Sequence, residues 1–202
     1  LRSRPLLHGV LPLRGSTSQH KRKDNRSIRK TGRRGRLVLV EDQIVAAENE
    51  SLEKGFIVAV CVSTKKGIPK TEVESAMVLE DYGLEGDAHA GPWHRQVSLL
   101  SIEQIESAKN RGIEVGPGSF AENLTTVGVD LGAVTPGDMI AIGDSVVLEI
   151  TQIGKECHTR CAIYHRIGDC IMPSQGIFAR VKSGGAVHKG DAVRLLRRVG
   201  PE

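Results

Sequence analysis

A mainly β fold, a barrel or folded sheet of short strands with one clear helix, follows from three features of the 202-residue sequence. Aromatic residues make up only 3% of it, so the core must be Val, Ile, Leu and Ala, and β-branched side chains pack better on a pleated surface than against a helix turn. Short apolar runs alternate with Gly- and Asp-rich turns, and only one segment carries a full set of helix signals. Finally, AVTPGDMIAI (Ala133 to Ile142) and AVHKGDAVRL (Ala186 to Leu195) share the pattern A-V-x-x-G-D-x-aliphatic-x-aliphatic. Gly137 and Gly190 admit the positive φ of a turn, Asp138 and Asp191 can bond turn amides, and the alternating aliphatics face a core. Two copies read as two similar barrel corners.

The elements follow in order from Gly55. GFIVAVCVS is a buried strand that holds Cys61 as apolar packing, since Val60 and Val62 offer it neither base nor cation. ESAMVLEDYGLEGDAHAG is a strand running into a loop rich in Gly, Asp and His, and QVSLLS is another short strand. In SIEQIESAKNRG, Ser101 caps with Gln104 three residues on, Ile102 and Ile105 give one apolar face, and Gly112 terminates the helix. GPGSFAENLTTVGVDLGAV is Gly-rich and turn-prone, and DMIAIGDSVVLEITQIG is two strands joined across Gly143 and Asp144.

Charge divides the chain. Residues 1–36 carry twelve Lys or Arg against Asp24 alone, a net +11 within a chain of +4, which leaves −7 on the remainder. A run such as HKRKDNRSIRKTGRRGR has almost no apolar surface to offset ordering entropy, so residues 1–54 are expected to be a disordered basic extension preceding a domain over 55–199. Such a tail binds anions weakly through phosphate neutralisation, although no aromatics interleave its charges for base stacking. PLLHGVLPL is broken by His8 and Pro12 and is too short for a secretory core. The expectation is a cytoplasmic protein without a membrane span, in a reducing compartment that disfavours disulfides.

GKECHTRC (Gly154 to Cys161) places two of the four cysteines and His158 within eight positions, with His165 and Cys170 following. Zinc is one reading, since C-x3-C with a later Cys and His supplies four ligands, but the second close pair usual in structural sites is missing. Sulfur chemistry is another: the thiolate is the reactive form, cations favour it, and Lys155 and Arg160 flank the pair. A second thiol then resolves a sulfenic acid or persulfide on the first. Asp87, His89 and His94 share one loop region, where Asp87 also suits a turn cap. Asn123 is a pocket amide or a turn former, Glu122 a base or a structural acid, and Arg180 a phosphate contact.

GLEGDAHAG, WHRQVSLLS, GSFAENLTT, PGDMIAIGDSVVLEITQIGKEC and GIFARVKSGG together resemble a MOSC domain, the C-terminal module of molybdenum-cofactor sulfurases. The resemblance spans Gly55 to Val199 and implies a β-barrel of MOSC type, with short helical turns besides the one helix. It further implies a cysteine that carries sulfur or engages the molybdenum cofactor (molybdopterin), by motif position Cys157, with Cys161 as auxiliary thiol. Lys155, Arg180, Asp87, His89, His94 and Asn123 are the expected cofactor contacts, and no metal is assigned to protein ligands alone.

Two departures matter. The family's usual Gly-Glu-Asn-Leu is here Ala121-Glu122-Asn123-Leu124, and the pyridoxal-phosphate domain of the large sulfurases has no counterpart. Sulfur is therefore expected from elsewhere, from a cysteine desulfurase or a molybdenum-cofactor biosynthesis protein. Two other readings stand beside this one. One is a molybdenum-cofactor-dependent oxidoreductase of N-hydroxylated compounds, and the other a zinc-stabilised interaction domain.

Overall fold

The computed structural model describes residues 54–157 and 159–196. The basic tail, residues 197–199 and His158 lie outside them. In chain order the strands are β1 (Lys54–Val62), β2 (Thr71–Val73), β3 (Ser75–Leu79), β4 (Gly83–Leu84), β5 (Val97–Ser101), β6 (Leu124–Val127), β7 (Met139–Ile142), β8 (Val146–Ile153), β9 (Ile177–Ser183), β10 (Gly185–His188) and β11 (Ala192–Leu196). The helices are α1 (Ile102–Asn110), α2 (Ala162–Ile167) and α3 (Met172–Gln175).

Seven strands close into a barrel in the order β1-β11-β7-β8-β9-β5-β6 and back to β1. Only β5 and β6 run parallel, which makes the barrel mixed. β2 extends one end of β1, and β10, β3 and β4 form a separate small sheet. Strand alternation fills the interior: Val146, Leu148 and Ile150 of β8 are buried while Val147 and Glu149 between them are only half-buried. Ile57, Leu99, Leu124, Ile140, Val181 and Leu195 belong to the same core cluster.

The two A-V-x-x-G-D segments are the matching corners their sequence implies. Gly137 and Gly190 take φ of 98° and 91°. Asp138 Oδ2 accepts the Thr135 amide at 2.7 Å, and Asp191 Oδ2 accepts the His188 amide at 2.7 Å. The strands they launch, β7 and β11, are antiparallel neighbours, with Ile142 opposite Val193.

A second apolar cluster packs outside the barrel wall, with Leu100, Ile105, Phe120, Ile163, Met172 and Phe178 joining α1, α2 and α3 to the outer faces of β5 and β9. α1 begins at Ser101 with the full capping box: Ser101 Oγ accepts the Gln104 amide at 3.2 Å, and Gln104 Oε1 accepts the Ser101 amide at 3.0 Å. Such a cap is worth about 1 kcal/mol. β6 is a central strand where the sequence reads as turns. Its Leu124, Thr125 and Thr126 are fully buried, and the barrel, through its neighbours β1 and β5, decides their conformation over the local Gly and Asn signals.

Candidate functional site

The outer end of the barrel near β8 holds an open cleft of about 980 Å³, lined by Arg95, Gln152, Ile153, Gly154, Lys155, Glu156, Cys157 and Pro173. Its shape begins with an irregularity in β8. Ile150 pairs with Ala179 and Gln152 with Phe178, so Thr151 is an extra residue in the ladder. Such bulges re-aim side chains where pairing ends. Thr151 Oγ1 donates to the Phe178 carbonyl at 3.1 Å and also bonds the His94 carbonyl, tying the segment around His94 to β8 and β9.

Gly154 ends the strand with φ 66°, and a Cβ there would collide with the Pro173 carbonyl oxygen. Its amide donates to the Gly176 carbonyl at 2.7 Å, and the Lys155 amide donates to the Pro173 carbonyl at 3.2 Å. These bonds clasp the GKEC segment to α3 and direct Cys157 and Lys155 to the cleft.

All four cysteines are free thiols in very different settings. Cys157 is exposed on the cleft, whereas Cys161 and Cys170 are half-buried against the outer apolar cluster. Burial raises the Cys170 thiol above its ordinary value. The Met172 amide and Lys155 oppose that shift, and the nearby Cys161 and Cys157 reinforce it. Cys61 is fully buried in β1, and burial, with Glu122 and Glu72 nearby, pushes its thiol up to about 12. This is the inert packing thiol expected of it. Arg160 stacks on Tyr164 of α2, 4.4 Å from the ring centre.

The other expected contacts separate into cleft and interior. His94 is exposed at the cleft edge, with Nε2 2.9 Å from Gln152 Oε1. Arg180 follows Phe178 by two positions on the same face of β9, opposite Glu149. Asp87 lies inside, where its two carboxylate oxygens take the Lys70 ammonium at 2.7 Å each and accept the amides of Ser63 and His89. Burial alone would raise the Asp87 carboxyl, but His89 and Lys70 outweigh it and hold it well below the usual carboxylate range.

His89 Nδ1 stands 3.5 Å from Asp87 without making a hydrogen bond, and the His89 carbonyl accepts from Trp93 Nε1 at 2.7 Å. Asn123 is also internal: its Oδ1 accepts from the Ser98 amide and hydroxyl, and its Nδ2 donates to the Cys61 carbonyl. Asp87, His89 and Asn123 therefore do not line the cleft with Cys157. Glu122 is wholly buried, with burial raising its carboxyl, and it accepts the amides of Gly118 and Phe120. Among the described residues no three His, Cys, Asp or Glu side chains converge as metal ligands.

One residue that sequence reasoning passed over also lines the cleft. Arg95 has its guanidinium carbon 4.8 Å from the Trp93 ring centre and 5.7 Å from that of Phe178. Its Nε is buried without a hydrogen-bond partner. The signal was present in WHRQVSLL, where a cation sits between the chain's only Trp and a buried strand.

The family model for the MOSC domain matches residues 86–194, more than half of the chain. The chain belongs to the MOSC domain family. β1, before the matched segment, closes the same barrel between β11 and β6. The fold is also that of YuaD from Bacillus subtilis, with a TM-score of 0.61 at 18% identity over 73% of this chain and 99% of that one. YiiM from Geobacillus stearothermophilus aligns with a TM-score of 0.54 at 23% identity, over 72% of this chain and 77% of that one. YiiM from Escherichia coli aligns at 0.52 and 20%, over 72% of each chain. No curated protein matches the sequence.

The MOSC family is associated with the molybdenum cofactor. The residues of the cleft fit such a group, because an unpartnered Arg95 Nε and the half-buried Lys155 offer donors to a phosphate and Cys157 offers a sulfur ligand. Among the described residues no helix is long and apolar enough to cross a membrane.

Proposed function

We propose that this MOSC protein handles sulfur in maturation of the molybdenum cofactor, with Cys157 as the acceptor thiol. The observation that carries the reading is that Cys157 is the one exposed cysteine and shares its cleft with Lys155 and Arg95. The donor is a protein persulfide, of the kind a cysteine desulfurase or a cofactor-biosynthesis protein presents. The Cys157 thiolate attacks the terminal sulfur of the donor. A sulfur–sulfur bond forms on Cys157 as the donor's own breaks, and the donor leaves as a thiolate. Cys161 and Cys170 supply further thiols in the same segment.

A bound cofactor supplies a redox-active molybdenum centre. Toward it the chain contributes Arg95 and Lys155 as anion contacts, His94 and Arg180 at the margins, and Cys157 as the sulfur group. The protein works in a reducing, cytoplasmic setting that keeps these thiols free, and its basic tail adds weak anion attraction. Incubation with a cysteine desulfurase and cysteine, followed by intact mass measurement, should add one sulfur to the wild type and none to Cys157→Ala. Equal loading of both proteins removes Cys157 from the reaction.

A further inference from the structure

We infer that Arg95 is an oxyanion-binding residue, braced by Trp93 and Phe178 to take a phosphate group of the ligand that enters the cleft. This rests on reading the cleft as a ligand site, but not on sulfur transfer at Cys157. The guanidinium carbon lies over both rings, 4.8 Å from the centre of Trp93 and 5.7 Å from that of Phe178, and neither ring offers its N–H groups a hydrogen-bond acceptor oxygen. Trp93 is itself fixed through Nε1 to the His89 carbonyl, and Phe178 is buried in the outer cluster.

Despite this bracing, no hydrogen bond or ion pair reaches Arg95 among the described residues, and Nε is buried without an acceptor. A buried donor left unpaired is costly, and more so on a charged group. The acceptor that would satisfy it is therefore external. The surrounding charge favours an anion: Lys155 lines the same cleft and Lys66 lies 5.6 Å from the Trp93 ring centre, against Glu156 as the opposing carboxylate of the lining. A guanidinium held in plane presents paired donors that match two oxygens of a phosphate, which a mobile ammonium does not.

Trp93 is the only tryptophan of the chain, so its fluorescence reports on this site and not on the basic tail. The full chain is titrated with inorganic phosphate, with guanosine monophosphate and with guanosine. A saturable change is expected with the phosphorylated probes and none with guanosine. Tighter binding of the nucleotide identifies a phosphomonoester as the ligand class, and equal binding identifies free phosphate.

Arg95→Met should weaken the response about tenfold or more, and Arg95→Lys, which keeps the charge but loses the fork, should also bind more weakly than wild type with its melting temperature retained. Sulfur loading of the wild type is read separately by intact mass, so absence of loading beside an intact phosphate response leaves this result untouched. No saturable response, or an unchanged one in both Arg95 variants, overturns the assignment.

Discussion

The carbonyl oxygen of Pro173 occupies the space that a Cβ on Gly154 would need. This contact joins the end of β8 to α3, and the two backbone hydrogen bonds beside it hold Lys155 and Cys157 at the cleft. Glycine at 154 is therefore a geometric requirement of the cysteine segment. Its φ of 66° adds a second reason, because side-chain-bearing residues are strained there.

Gly154→Ala should accordingly destabilise the protein by about 2 kcal/mol or more, as strain and collision combine. Urea denaturation measures the loss. Sulfur loading at Cys157 should fall at temperatures where the variant is still folded, since the clasp to α3 opens. A variant with wild-type stability and loading would show that the segment is not held by this contact.

Ala121 presents the opposite case. It stands where the MOSC family usually has glycine and takes φ 63°, a conformation that costs an L-residue about 1–2 kcal/mol. Ala121→Gly relieves that strain but frees the unfolded chain and removes one methyl group. The net gain should be about 0.5–1 kcal/mol, read as a higher urea midpoint with an unchanged slope. A loss would mean that the Ala121 methyl, packed on the outer cluster, outweighs the backbone.

These two positions show what the sequence does and does not disclose. Features decided within a few residues were legible: the Ser101 capping box, the paired Gly-Asp corners of β7 and β11, and the hairpin across Gly143. β6 was not, because Thr125 and Thr126 become core residues only through neighbours on β1 and β5. The site divides in the same way. Cys157 and Lys155 belong to one local motif, whereas Arg95 gains its setting from Phe178, 83 positions away, and Asp87 finds its partner in Lys70.

The Lys70–Asp87 pair has both side chains fully buried. Removing one partner strands the other charge, so Lys70→Met should cost about 3–5 kcal/mol. Lys70→Met combined with Asp87→Asn should be far less damaging than the two single losses added. The folded Asp87 carboxyl lies below its ordinary range, so its contribution is present above about pH 4 and is lost as pH falls through the folded value. The stability gap between wild type and Lys70→Met should therefore narrow on acid titration, because protonating Asp87 removes the ion pair in the one and neutralises the stranded charge in the other. Strictly additive losses would show that the two groups do not interact.

Cys61 sets a limit at the alkaline end. Its thiol is held at about 12 in the fold, above the value near 8.5 of a free cysteine. A folded value raised in this way gives stability that is complete below the unfolded pKa and declines as pH rises toward the folded one. Between about pH 9 and 12 the wild type should lose a few kcal/mol relative to Cys61→Ala. Parallel stability curves for the two proteins over that range would show that Cys61 ionises freely in the native state.

The same differences in burial order the thiols kinetically. Alkylation requires both access and a thiolate, so Cys157 should react first at neutral pH, followed by the half-buried Cys161 and Cys170, with Cys61 protected until the barrel opens. Within the middle pair, burial and its thiol neighbours disfavour the Cys170 thiolate, which places it after Cys161. Peptide mapping after timed exposure to iodoacetamide gives each rate separately. If sulfur loading occurs at Cys157, loading before alkylation should leave a labelled persulfide on that peptide alone, and prior alkylation of Cys157 should block loading altogether. Uniform labelling of the four thiols would remove the distinction on which Cys157 is assigned. Rapid labelling of Cys61 would instead show that β1 opens far more readily than its closed barrel pairing implies.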